Sequence, residues 1–471
     1  MEKSTTDFNL NTSGLIQSLV ITSDPQYPWT DCTDDSGRPF QNCSIRNVSP
    51  CILPGSSENR ATRRIRSQAL IREQYENINS YTEHSDRVNR PSAVIINGDI
   101  TEFGHNESYH PERQWDTMND LFRVLRRPYY YGLGNHDIEN NFGHCFDNSC
   151  FKSSMDNLRI HIGNRVPSNQ SDINIRMGDP IVPAYFNGSF AYVVNFDRIC
   201  SIQLNNYPTM EARTLAIHLH ENLSWLRNQL QIAREQGRII IIHVHQTGML
   251  TPTYRNLFQE FGVVAIFGGH LHNNLGHYST YNNIPVFLSG SASQRTYLIL
   301  EQWTDRLDIY AVRCNDWINH RQLVRSIPVL ITGRFKIRVA SNSNYGLSKL
   351  NNNNVELWGG NYSDFWDVEY HPQKQAHIIK FATTQSNLVL AWKASINDRL
   401  VVATPFNSAY DEQYWILEPV NNGYIFKSKI NPNLVLTVDR IIWNGQNMIV
   451  SELAPLSSSD INRQIFLLQS S

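Results

Sequence analysis

What this sequence lacks narrows its role before any motif is read. Charge excess is missing: 41 Lys and Arg stand against 43 Asp and Glu, so no large basic surface for nucleic acid is implied. Long apolar runs are missing too, and none approaches the ~20 residues that cross a bilayer. The start, MEKSTTDFNLNTSGLIQSLV, carries acid, amides and hydroxyls where a secretory leader has a basic end and an apolar stretch. The chain is therefore expected to be shown without its leader, to leave the cell by another route, or to stay inside. No C-x-x-C occurs, which disfavours a thiolate zinc site.

What cysteine there is lies unevenly. Of seven, Cys32, Cys43 and Cys51 share a Pro/Ser/Asn-rich loop, and Cys145 and Cys150 flank FDNS. Short-range pairs of this kind are expected to form disulfides, and hence point to an oxidising, secreted setting. The odd count leaves at least one thiol over, with Cys200 in RICSIQL the candidate. At 471 residues, 41% hydrophobic and 18% charged, the chain reads as soluble and globular with two or three domains.

Up to about residue 325, strand and helix signals alternate. LIQSLVIT (15–22), PSAVIINGD (91–99), RIIIIHVH, GVVAIFGGHLH and IPVFLSGSASQ read as apolar strands. A helix is expected from about Asn59 to Tyr81, another over 111–127 opened by Pro111, and a third in ENLSWLRNQLQIAREQG closed by Gly237. SFAYVVNF and ICSIQLNN read as a hairpin around Asp197 and Arg198. This order predicts an α/β domain with its sheets covered by helices. After the connector CNDWINHRQLVRSIP the composition shifts to short strands, Asn/Ser/Gly turns and aromatics. NYGLS, NLVLA and NLVLT recur at steps of about 45–50 residues, as do DFWDV, QYWIL and QIFLL. A threefold repeated all-β domain over 330–471 is predicted.

The N-terminal strands end in a consistent way. The first runs into Asp24 and Gln26, the second into Asp99, and the tyrosine run PYYYGLGNHD into Asn135 and His136. The fourth ends in His243 and His245, the fifth in His270 and His272. The carboxyl edge is where open α/β sheets place their sites. Five buried-type strands delivering carboxylate, amide or imidazole to that edge are poorly explained as coincidence.

D-x-Q, GD, GNHD, a strand-borne His and GHxH in this order resemble the calcineurin-like metallophosphoesterases, over residues 15 to about 312. The resemblance implies a four-layer α-β-β-α sandwich, assigned here to residues 15–325, that holds two divalent metals joined by one carboxylate. Carried over, Asp24, Gln26 and His272 would hold the first metal, Asp99 would bridge, and Asn135, His243 and His270 would hold the second. His136 would be the acid at the leaving group, not a ligand. The glycines before it would let one loop hold ligand and proton donor side by side. Gln26 departs from the His common in the family, and as a weaker, harder donor it loosens the site or shifts it from zinc toward Mn or Mg. Mn, Fe, Zn and Mg all remain open. His245 is left ambiguous, with His243 preferred, and His105 is placed at the entrance. Arg60, Arg63, Arg64 and Arg66 read as a solvated helix face, with attraction of an anionic substrate as the alternative. No Tyr follows Asp99 at the purple acid phosphatase offset.

VELWGG and QYWIL resemble the ricin-type β-trefoil. Its sugar-binding Asp is replaced by Ser348, Ala391 and Thr437, so glycan and protein docking both stay open. Trp358, Trp366, Trp392, Trp415 and Trp443 read as core for the most part, with sugar stacking as the alternative. The expectation is a secreted phosphoesterase, a phosphodiesterase by the form of GDITEFG, carried to a surface by its trefoil as a toxin or effector would be. The rival is a binding protein on an idle phosphoesterase scaffold.

Overall fold

The computed structural model describes residues 15–30, 60–104, 113–142, 150–178, 184–303, 306–329, 331–350, 353–359, 363–371, 373–383, 387–392, 399–420, 423–443, 446–457 and 461–470. Two six-stranded sheets organise the N-terminal part. In the first, Leu15–Thr22 lies parallel to Ser92–Asn97, which lies parallel to Tyr129–Gly132; Tyr297–Trp303, Arg306–Val312 and Arg321–Pro328 extend the other side antiparallel. In the second, Ile199–Gln203, Ile239–His243, Ala265–Gly268 and Ile284–Ser289 run parallel, flanked by Tyr192–Phe196 and Leu275–Tyr281.

Alternation along the strands makes the layers. Leu19, Ile21, Ala93 and Ile95 meet Ile239, Ile241, Ala265 and Phe267 between the sheets. Their neighbours Val20, Val94 and Ile96 face the other way, onto Ile71, Tyr75 and Ile78 of helix Arg60–Thr82 and Met118 and Phe122 of helix Gln114–Phe122. On the opposite side Ile202, Ile240, Ile242 and Ile266 pack on Leu226 and Leu230 of Leu223–Glu235 and Tyr254 and Phe258 of Pro252–Phe261. Period-two strands with both faces apolar can be buried only this way. The result is the expected α-β-β-α sandwich.

Three local expectations shift. The helix expected from Pro111 runs from Gln114 among the described residues, with Arg113 at its N-cap. The segment read as a connector contains the edge strand Arg321–Pro328, so the first sheet extends past residue 325. A four-stranded sheet of Asn174–Met177, Ala184–Gly188, Ala212–Arg213 and Ile217–Leu219 had no clear signal, because its strands are short and all four residues of the first are exposed.

From Gly333 the chain is all-β and repeats three times around one core. The hairpins Tyr345–Lys349/Val355–Gly359, Leu388–Trp392/Val401–Pro405 and Leu434–Trp443/Gln446–Pro455 are equivalent, and Trp366, Trp415 and Phe466 fill equivalent core positions. Trp366 Nε1 donates to Leu347 O and Trp415 Nε1 to Leu390 O, the same carbonyl of successive repeats. Gln413 and Gln464 both donate to a hairpin-end proline, Pro405 O and Pro455 O. This is a β-trefoil. Trp366 and Trp415 are core, Trp358 is 48% exposed and Trp392 half-buried; the Trp443 side chain lies outside the described residues.

Cys200 is a buried free thiol, as expected; buried Cys150, expected in a short-range disulfide with Cys145, is not disulfide-bonded. Cys314, which the sequence reading had not paired, is disulfide-bonded. Cys32, Cys43, Cys51 and Cys145 lie outside the described residues.

Candidate metal centre

Five strand ends converge on one edge of the sandwich, and at three of them the backbone bends sharply where it delivers its residue. Asp24, Gln26, Asp99 and His270 have φ of 52°, 43°, 48° and 72°, the left-handed region that non-glycine residues occupy sparingly. The loops brace one another: the Asp24 N–H donates to Gly98 O at 3.0 Å and the Gln26 N–H to Asp99 O at 2.8 Å.

Asp99 sits at the centre. Its Oδ1 accepts the His136 N–H at 2.8 Å, and its Oδ2 lies 3.0 Å from His245 Nε2. Asn135 Oδ1 lies 3.0 Å from His245 Nε2 and 2.9 Å from His270 Nδ1. The Asp24 carboxylate accepts the His270 N–H at 3.0 Å and lies 3.4 Å from His272 Nε2. Two donor clusters result, Asp99–His245–His270 and Asp24–Asp99–His272, the donor atoms of each lying within 4.8 Å of one another. Asp99 belongs to both.

The glycines are required by these approaches. A Cβ on Gly134 would lie 2.2 Å from Asp99 Oδ1, and one on Gly98, at φ 81°, 2.7 Å from His245 Nδ1. That is why the tyrosine strand ends in glycine before Asn135 and His136.

The structure sets the two histidines of HVH apart. His243 is the last residue of its strand, fully buried, stacked on Phe267 at 5.4 Å, with Nδ1 3.0 Å from Asn97 Oδ1. Burial pushes it down to about 3, so it is neutral. His245 points the same way but lies two residues, about 7 Å, further along, beyond the sheet edge. It meets Asp99 and Asn135; His243 does not.

The electrostatics fit cations. Burial raises the Asp99 carboxyl, but the His245 imidazole overrides it and holds the group at about 2. Burial likewise lowers His245, and the Asp99 and Asp24 charges carry it up to about 9. His245 Nδ1 faces Asn97 O at 2.7 Å and must donate to it, which leaves Nε2 as the donor atom toward Asp99. The Gln26 side-chain oxygen and nitrogen are buried at this edge with no hydrogen-bond partner among the described residues. Carboxylate, amide and imidazole donors without thiolate suit a hard or borderline divalent ion.

The His136 ring is held by the loop that follows Asp99. Its Nδ1 donates to Glu102 O at 2.9 Å, and its ring lies 6.0 Å from Trp29 and 5.6 Å from Phe103. Several residues around it escaped the sequence reading. Asp137 accepts from the Ile100, Thr101 and Gly134 N–H groups at 2.9–3.0 Å and from Thr101 Oγ1 at 2.8 Å. Burial and the Asp99 charge push it up to about 6 against those donors. Its signal was the D of GNHD. Arg63, read on a solvated face, is half-buried, ion-paired to Glu102 at 2.5 Å and 5.6 Å over the Trp29 ring. Trp29 also meets His272 at 5.9 Å. Helical periodicity alone gave no sign of this. His105 and the Arg60 side chain lie outside the described residues.

Sandwich and site together define a metal-dependent hydrolase of phosphoester bonds. The chain belongs to the calcineurin-like phosphoesterase family, whose sequence pattern matches residues 19–274. It is 26% identical over 116 residues to pierisin of Pieris brassicae, a match covering 23% of this chain and 14% of that protein. Among solved structures, a dimetal phosphatase from Danio rerio is similar at 13% identity and TM-score 0.38, covering 68% of this chain and all (100%) of that one. A mosquitocidal holotoxin is similar at 21% identity and TM-score 0.26, covering 40% of this chain and 25% of that one.

Proposed function

We propose that the protein is a phosphodiesterase with a two-ion centre, and that its trefoil, a separately folding unit over residues 330–471, holds it at a surface. The observation that carries the catalytic reading is the pair of donor clusters sharing Asp99. Asp24, Gln26, Asp99 and His272 would hold one ion, and Asp99, Asn135, His245 and His270 the other. When bound, such ions lower the pKa of a water and offset charge on phosphoryl oxygens.

The chain's own residues then have distinct tasks. The His136 N–H holds the Asp99 carboxylate between the clusters. As the P–O bond to the leaving group breaks, a proton passes from His136 Nε2 to the departing oxygen. The Glu102 carbonyl supports this by accepting the Nδ1–H hydrogen bond, which fixes the ring with Nε2 toward the leaving group. Secretion and a toxin-like role rest on the pairing of a hydrolase with a trefoil. Exposed Trp358 supports a glycan as the docking partner. Turnover by the purified chain with Mn decides the activity: bis-p-nitrophenyl phosphate should be cleaved faster than p-nitrophenyl phosphate, and chelation should remove both activities. Metal-replete protein with no turnover of either would favour an idle binding scaffold. A glycan array probed with the full chain tests the docking.

Three substitutions test the ligand set. His245→Ala should reduce bound metal and activity by roughly 10²-fold or more, whereas His243→Ala should keep metal and lower the melting temperature. The reverse pattern would return the ligand role to His243. Gln26→His should slow loss of zinc to a chelator, since imidazole favours later transition metals over an amide oxygen. Equal retention in mutant and parent would remove Gln26 from the first site.

A further inference from the structure

We infer that the cleft between sandwich and trefoil is a second binding site, for a tetrahedral oxyanion, sulfate or phosphate. The cleft is a cavity of about 580 Å³, within the roughly 300–1,000 Å³ of small-molecule sites. Its walls come from both halves of the chain. The hairpin turn at Asp197 and Arg198 and the segment 236–238 after helix Leu223–Glu235 form one side; Arg338, Asn344 and Gln469 of the trefoil form the other. It lies at the opposite end of strand Ile239–His243 from the edge that carries the metal centre.

Three guanidinium groups line it against a single carboxylate, Asp197, which is exposed. Arg198 donates Nη1 to Tyr424 Oη at 2.9 Å across the junction, while its Nε and Nη2 are sheltered and have no hydrogen-bond partner among the described residues. Arg238 donates Nε to Gln236 Oε1 and Nη1 to Asp197 O, both at 2.7 Å. Buried Arg338 donates to Gln469 Oε1 at 3.3 Å and Asn344 O at 3.1 Å. Each of these acceptors is neutral, and neither Arg198 nor Arg238 pairs with a carboxylate among the described residues. Sheltering guanidinium charge without a counter-ion is costly, and a planar fork of donors matches a tetrahedral oxyanion two bonds at a time.

The remaining lining chemistry limits what carries the anion. Amide side chains of Asn344, Gln469 and Gln236 offer donors and acceptors for hydroxyls, and Leu467 and Leu468 give an apolar floor. That mixture suits a sugar ester, and the trefoil's own repeat positions have lost the acid that usually takes neutral sugars. A free ion and a sugar ester share the same head group, so the test separates them.

Calorimetric titration of the full chain uses sodium sulfate, sodium phosphate, galactose 6-sulfate and galactose. Saturable binding of the oxyanion probes and none of galactose is expected. Arg198→Gln and Arg238→Gln should each weaken it by about tenfold or more, with Arg198→Lys between Gln and parent. Galactose 6-sulfate binding tighter than sulfate identifies an ester as the ligand; equal affinity identifies the free ion. No probe binding below ~10 mM, or unchanged affinity in both glutamine variants, overturns the assignment. Arg238 is the safeguard should Arg198→Gln lose its cooperative melt, and a neutral variant of either leaves the strand-end centre intact, so phosphodiester turnover reports separately on that site.

Discussion

Asp99→Asn should lower phosphodiester turnover at least ~10³-fold, a barrier rise of about 4 kcal/mol. The substitution is nearly isosteric: an amide oxygen can still accept the His136 N–H that Asp99 Oδ1 accepts at 2.8 Å. What disappears is the one negative charge common to both donor clusters. Bound metal should fall with activity, while the circular dichroism spectrum should not change, because the strands beneath are held by the sandwich cores rather than by the site. Turnover equal to the parent would sink the shared-carboxylate assignment.

His136→Ala separates chemistry from metal binding. Removing a positioned acid costs ~10²–10⁴-fold, and here metal content should stay close to the parent value. The loss should be smallest for p-nitrophenol esters, whose leaving oxygen needs little protonation, and grow with leaving-group pKa. The ring's only polar anchor among the described residues is the Glu102 carbonyl, so its removal leaves no buried charge behind. A loss independent of the leaving group would assign His136 a binding role instead.

The layers were legible because each strand is an apolar run and each helix carries an apolar face, and physics leaves few ways to cover both faces of such strands. The site was legible because carboxylate, amide and imidazole stood at the ends of those runs. The choice between His243 and His245 was not. Both lie on the same face, and only the position of the sheet edge, set by the register of Ile241 and His243 against Ala265 and Phe267, decides which emerges. The cage around His136 was hidden for another reason. Trp29, Arg63 and Glu102 come from separate stretches, and nothing local marks their contact. In the trefoil, the repeat showed in the sequence, but which tryptophans are core depended on where each falls in its repeat. Trp366 and Trp415 occupy equivalent core positions, and Trp358 does not.

The Asp137 carboxylate ties the turn after Asp99 to the turn before His136 through the amides of Ile100, Thr101 and Gly134, and the His136 amide returns the tie to Asp99. These four N–H groups cannot be released singly, since opening either turn strips the same two carboxylates of their donors. In hydrogen exchange they should therefore behave as one opening unit with a shared free energy and a shared response to denaturant. Metal and proton donor would then be gained or lost together, so that a molecule opened at this edge retains neither a partial ligand set nor a stray acid.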